Sequence, residues 1–315
     1  MTTQTNSPAQ QEYSIHPATG IGHVALTVAS LENQLEFYQK AMGFKLHWRN
    51  DNKAGLGTGG RELLRLTEAP DLKKYRGVSG LYHFAVLFPN RHELAIAMAR
   101  LFALKVRNSP TDHVMTKTTY LDDPEGNGIE LYCESPEDGS WTLKDGKYET
   151  RWADGRWSDG REPLDVDALF KHLKEDPSTG SGQARLDAPI PPETKVGHIH
   201  LHVRDIPAAL DFYHGLLGFD VMGHVKDFQM AFVSAGGYHH HIGLNTWQGV
   251  GAPPPPPDAV GLRHFTVDFP NQTALDEIIA RVDAAGMPGN KIEEGLLLQD
   301  PSQNGVVLRT IDRGR

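Results

Sequence analysis

A chain built from two alternating kinds of unit has few folds open to it, and this 315-residue sequence repeats itself in that way. Ile21–Leu46 reads IGHVALTVASLENQLEFYQKAMGFKL and Val196–Val221 reads VGHIHLHVRDIPAALDFYHGLLGFDV. Gly22, His23, Leu26, Val28, Leu35, Tyr38, Gly43 and Phe44 recur as Gly197, His198, Leu201, Val203, Leu210, Tyr213, Gly218 and Phe219. A second pair matches between Gly80–Asn90 (GLYHFAVLFPN) and Gly261–Asn271 (GLRHFTVDFPN), and its distal ends align as DDPEGNGIELY and QDPSQNGVVLR. The order of the units is therefore A-B-A-B.

Each unit opens with alternation, as in His23–Val28, where residues two apart share one face of a strand. Ser30 is placed to cap the following helix, Leu31, Leu35, Tyr38 and Met42 fall near helical spacing, and Gly43 stops it. Three shorter strands complete each unit. The expected fold is α+β: four βαβββ modules pairing into two curved-sheet domains. Its divisions are a polar tail over 1–20, a first module pair over 21–133 holding the metal site, a connector over 134–195, and a second, degenerate pair over 196–315. In the connector, Asp165–Glu175 reads as a short helix, Pro177–Gln183 as a loop, and Trp141, Trp152 and Trp157 as anchors. Pro253–Pro257 reads as a polyproline spacer.

Composition narrows the function. Hydrophobic residues make up 39% and charged residues 23%, as in soluble globular proteins. A formal charge of −9 with scattered basic residues gives nucleic-acid binding no support. Neither a signal peptide nor a bilayer-length apolar run is present, so no membrane role and a cytoplasmic location are expected. The single cysteine, Cys133, excludes intramolecular disulfides and cysteine-rich zinc sites. The 16 histidines are where the chemistry is to be sought.

His23 stands on the first strand of unit one, His83 on the matching strand of unit two, and Glu130 on the last strand of unit two. If these two units pair, two imidazoles and one carboxylate converge on a metal and leave adjacent positions open, a set that suits non-haem Fe(II). Taken singly, a strand histidine is usually a hydrogen-bonded network member and a strand glutamate usually faces solvent. Their placement at corresponding repeat positions favours metal.

The modular pattern resembles the vicinal oxygen chelate superfamily of glyoxalases, antibiotic-resistance proteins and type I extradiol dioxygenases. Thr111–Glu130 resembles the extradiol signature through His113, Tyr120, Asp123-Pro124, Gly126 and Glu130, with Thr119 departing where an apolar residue is usual. The likeness spans nearly the whole chain and is to two-domain catechol 2,3-dioxygenases of the Bacillus type. It implies Fe(II), with Mn(II) as an alternative, held by His23, His83 and Glu130. It also implies O2 and a catechol as substrates, a 2-hydroxymuconic semialdehyde-type product, and a homo-oligomer. Tyr120 would hydrogen-bond the catechol oxygen and His113 would sit beside the substrate. Against these roles stand a core-packing tyrosine and a surface-loop histidine.

Two departures matter. The resemblance places the metal in the C-terminal half of the best-known members, whereas here the full signature is N-terminal. The family's acid–base histidine has no counterpart in Arg61–Thr67, which leaves His113 as the replacement candidate. In the C-terminal half Val307 replaces Glu130 and Leu297 replaces Tyr120. An all-histidine second site from His198, His241 and His264 is one reading of that half; a buried polar network is the preferred one. The rival functions are a glyoxalase-type metal isomerase and a non-catalytic protein that sequesters an aromatic drug.

Overall fold

The computed structural model describes residues 13–144, 147–175 and 186–311, so the Pro177–Gln183 loop lies outside the described residues. The first module runs β1 (Gly20–Val28), α1 (Leu31–Lys40), β2 (Lys45–Asn50), β3 (Lys53–Gly57) and β4 (Glu62–Glu68). The second runs β5 (Gly80–Leu87), α2 (Arg91–Ala103), β6 (Ser109–Asp112), β7 (Thr116–Asp122) and β8 (Gly128–Glu134). The intervening segment carries β9 (Gly139–Lys144), β10 (Lys147–Trp152), β11 (Trp157–Ser158), β12 (Glu162–Pro163) and α3 (Val166–Lys171). The third module runs β13 (Lys195–His202), α4 (Ile206–Leu210), β14 (Asp220–Val225), β15 (Met230–Ser234) and β16 (Ile242–Asn245). The fourth runs β17 (Gly261–Phe269), α5 (Gln272–Ala284), β18 (Asn290–Ile292), β19 (Gly295–Gln299) and β20 (Gly305–Thr310).

Local chemistry places the helices as expected. Ser30, Asn90, Asp205 and Asn271 each accept a backbone N–H three residues on, which satisfies a donor the first helical turn leaves free. Gly43, at φ +72°, ends the first helix where a side chain would be strained and would run into the Arg100 guanidinium. Among the described residues, no helix is long and apolar enough to cross a membrane.

Module pairing departs from expectation. An eight-stranded sheet, β18-β19-β20-β17-β1-β4-β3-β2, joins modules one and four; a nine-stranded sheet, β12-β6-β7-β8-β5-β13-β16-β15-β14, joins modules two and three. The divisions 21–133 and 196–315 are therefore not self-contained sheet domains, and each sheet takes one module from either half. The central seams are antiparallel, β1 with β17 and β13 with β5. Nothing in the link between modules one and two forbids this. The stretch between Glu68 and Gly80 spans roughly 35–40 Å when extended, enough to pass from one sheet to the other. The two crossovers run side by side: Val260 N donates to Lys73 O at 2.9 Å, and Ser79 N donates to Pro253 O at 2.9 Å. Pro253–Pro257 thus lies within a connector, as read.

The rest of the expected layout is amended in smaller ways. The connector includes the helix capped by Asp165, but also a three-stranded sheet β11-β10-β9. Of its tryptophans, the Trp152 ring centroid lies 5.2 Å from the Lys117 ammonium, whereas Trp157 is mostly exposed. The tail expected over 1–20 packs from Tyr13 onward: the Tyr13 ring lies against the core, and the buried Ile15 donates its N–H to Gly218 O at 2.7 Å.

Modules of the same half do touch, through a motif that occurs twice. Tyr38 OH donates to Asp123 Oδ2 at 3.0 Å, and Tyr213 OH donates to Asp300 Oδ2 at 3.0 Å. Asp123 also accepts the N–H groups of Glu125 and Asn127 and the Asn127 amide. The Asp-Pro turn of the signature is thus a structural clamp. Asp123→Ala is expected to destabilise the fold by about 2–3 kcal/mol, because buried donors lose their acceptor; urea unfolding measures this, and a loss below the error of the fit would refute it.

Candidate metal centre

Alternation decides which side chains reach the site. On β13, Ile199 and Leu201 enter the apolar core, so His198, His200 and His202 occupy the opposite face. The β13–β5 seam sets His200 against His83, and β8, next to β5, carries Glu130 against Ala85. Glycines make room: a Cβ at Gly197 would overlap the Tyr132 hydroxyl, and one at Gly243 would lie 2.8 Å from the His200 ring.

His83, His198 and Glu130 come together, all buried. His198 Nε2 lies 3.0 Å and His83 Nε2 3.1 Å from Glu130 Oε2, and the two Nε2 atoms are 3.3 Å apart. Adjacent donors about 2.1 Å from one octahedral ion lie roughly 3.0 Å apart, so the spacing fits a two-His-one-carboxylate centre. Thr118 donates to the other oxygen, Glu130 Oε1, at 2.8 Å and orients the carboxylate. Burial alone would raise the Glu130 carboxyl, but His198 and His83 outweigh it and hold its pKa well below the ordinary value. Burial lowers His198 to about 4, so the imidazole presents a lone pair.

His23 does not join them. It belongs to a second cluster with His264 and Glu294, because β1 pairs with β17 and not with β5. The expected triad of His23, His83 and Glu130 is therefore not assembled; the structure groups His198 with His83 and Glu130. The all-histidine grouping is dispersed as well. His198 faces Glu130 and His264 faces Glu294, while His241 Nδ1 lies 2.9 Å from the Ser234 hydroxyl.

Two polar arms flank the first cluster. Tyr120 sits opposite Glu130 on β7, and its ring centroid is 5.5 Å from that of His83. His113 Nδ1 donates to Gly160 O at 2.5 Å, so its Nε2 is the acceptor of the Tyr120 hydroxyl at 2.8 Å. Burial lowers the pKa of His113 and raises that of Tyr120 well above the ordinary value, which keeps both neutral. His113 is thus the partner of Tyr120 and not a surface residue.

The other arm escaped the sequence reading. His239 Nε2 lies 3.1 Å from Glu134 Oε1, and His239 Nδ1 lies 2.8 Å from His240 Nδ1. If His239 donates to the carboxylate, His240 must donate through Nδ1, which leaves a lone pair on its Nε2. The His240 ring centroid is 4.2 Å from that of His198. His240, together with the buried His200, whose Nε2 has no hydrogen-bond partner, surrounds the centre with imidazole. The run Tyr238–His241 was visible in the sequence, but only the β13–β5 seam brings it to Glu130. A cavity of about 470 Å³ opens beside His83 and Tyr120, with Tyr82, Arg107, Asn108 and Asp122 among its walls. That volume is ordinary for a small-molecule site.

Comparison with known proteins agrees with this architecture. Residues 20–131 and 195–303 match the profile of the Glyoxalase/Bleomycin resistance protein/Dioxygenase superfamily. The chain is 40% identical over 297 residues to a Bacillus subtilis protein named catechol-2,3-dioxygenase, covering 93% of this chain and 98% of that one. It is 30% identical over 128 residues, 38% of this chain and 93% of the other, to a lactoylglutathione lyase of Neisseria meningitidis. Among solved structures, a putative dioxygenase from Bacillus subtilis superposes with a TM-score of 0.61 at 13% identity, over 96% of this chain and 87% of that one. Glyoxalase I from Zea mays gives 0.51 at 15% identity, over 92% of each chain.

Proposed function

Because the chain belongs to the Glyoxalase/Bleomycin resistance protein/Dioxygenase superfamily, we propose that it is an extradiol dioxygenase that opens a catechol ring with O2, with His83, His198 and Glu130 as its Fe(II) ligands. The observation that carries this reading is the 3.0–3.3 Å triangle of donor atoms with Tyr120 beside it. The whole-length relative named catechol-2,3-dioxygenase supports it. When bound, iron supplies Lewis acidity and an electron path between a chelated catecholate and O2.

The protein's own groups do the rest. The cavity beside His83 and Tyr120 has room for the ring. The His240 Nε2 lone pair takes a catechol hydroxyl proton, and the His239–Glu134 pair holds the imidazole in that tautomer. Tyr120, whose hydroxyl proton goes to His113, accepts a hydrogen bond from the catechol hydroxyl that keeps its proton. The single carboxylate among the donors sets the centre apart from an isomerase that uses two. Retention of all three donors sets it apart from a metal-free drug-binding protein.

The direct test is metal content and oxygen uptake of anaerobically purified protein supplied with catechol and Fe(II). One catechol consumed per O2, with a ring-opened semialdehyde as product, is expected; hemithioacetal isomerisation without oxygen uptake would overturn the reading. Tyr120→Phe keeps the ring's packing and is expected to lower kcat by about 10- to 100-fold with iron retained. An unchanged kcat would make Tyr120 a packing residue.

A further inference from the structure

We propose that His23, His264 and Glu294 form a second divalent-metal site, one that fastens the sheet of modules one and four and takes no part in ring cleavage. The proposal is independent of the reaction assigned to the first centre. His23 Nε2 lies 2.9 Å and His264 Nε2 3.0 Å from a single oxygen, Glu294 Oε2. All three donor atoms lie within 4.8 Å of one another, and both imidazoles are buried.

The repeat supplies a second observation. His23 and His198 hold the same place in their modules, as do His264 and His83. The seams present them in the same register, since Ala25, two after His23, faces His264 and His200, two after His198, faces His83. The carboxylate does not follow the repeat. Val307 occupies the position of Glu130, yet Glu294 reaches the vacated place from the turn between β18 and β19. It puts its oxygen 2.9 and 3.0 Å from the imidazoles, against 3.0 and 3.1 Å in the first centre. A donor lost from one strand and restored from a different element keeps the same set of three groups.

The surroundings differ in a way that assigns the role. Arg65 Nη1 binds the other oxygen, Glu294 Oε1, at 2.8 Å, so only Oε2 faces the imidazoles. The counterpart of Tyr120 is Leu297, which can neither donate nor accept a proton. The site joins β1, β17 and the β18–β19 hairpin, whose first strand is exposed along its length. An ion there would tie an edge hairpin to the centre of its sheet. Two imidazoles and a carboxylate favour a borderline transition ion over calcium or magnesium.

The test is zinc stoichiometry. Chelator-stripped protein is equilibrated with Zn(II) in a competing-chelator buffer, and bound zinc per chain is counted by mass spectrometry. Two ions are expected in the wild type, one in His83→Ala and one in the near-isosteric Glu294→Gln. In a His83→Ala background, Zn(II) should raise Tm, and adding Glu294→Gln should abolish that rise. A wild-type stoichiometry of one that Glu294→Gln leaves unchanged would overturn the proposal, as would the absence of zinc from a folded His83→Ala protein. A single ion lost in Glu294→Gln but kept in His83→Ala would support this site and refute the first centre.

Discussion

His198→Ala is expected to strip the catalytic metal and reduce ring cleavage to background, while His23→Ala retains a substantial fraction of it. The two residues occupy the same position in repeat-related strands, so each substitution removes the same group from a similar backbone. They differ in what the neighbouring strand provides. His198 shares Glu130 Oε2 with His83, whereas His23 shares Glu294 Oε2 with His264. A three-donor centre with open positions has no spare ligand, and removing one leaves a buried carboxylate with a single imidazole partner. Metal content and oxygen uptake are read on both variants, with circular dichroism as the control for folding. Loss of iron and activity in His23→Ala with both intact in His198→Ala would move the catalytic centre to the His23–His264–Glu294 cluster.

His240→Ala should lower kcat by about 10²–10⁴-fold with metal retained, the usual contribution of a positioned acid–base group. The expectation rests on the tautomer chain from Glu134 through His239, which leaves a lone pair on His240 Nε2 next to His198. A packing residue would change stability without this effect, so the pH profile of kcat should also lose a limb. His239→Ala, which removes only the orienting partner, should cost less. The competing acid–base candidate is His113, whose Nε2 already accepts the Tyr120 hydroxyl and whose ring is held by Gly160. If His113→Ala costs the larger factor and His240→Ala is silent, the proton is handled on the Tyr120 side.

Much of the candidate centre was legible one residue at a time. The signature that pointed to His113, Tyr120 and Glu130 is local, and the repeat marked His83. These residues stand on or beside β5, β7 and β8, which pair within one module and so keep their neighbours whatever the other modules do. The cap at Ser30, the stop at Gly43 and the short helix from Asp165 were likewise readable, since each depends on groups only a few residues away. His198 was visible as the copy of His23, but Val307 made its half look degenerate. Glu294 carried no signal, because a hairpin turn has no periodicity to mark which way its side chain reaches.

The sequence by itself determined four βαβββ modules, the shared face of His198, His200 and His202, and two of the three donors in the proposed catalytic centre. Alternation put His240 opposite His239, but both stand in the loop between β15 and β16 and bond each other. The tertiary structure alone decided which modules share a sheet. That choice replaced His23 with His198, brought His240 to the centre, and gave His23 and His264 a carboxylate of their own. The physical reason lies in the reach of the interactions. Alternation, caps and turns are fixed by neighbours in the chain, whereas an antiparallel seam forms between any two compatible strand edges that the connectors can bring together. The β1–β17 and β13–β5 seams bond equivalent strands in equivalent registers, so the repeat that revealed the modules could not distinguish this pairing from the other.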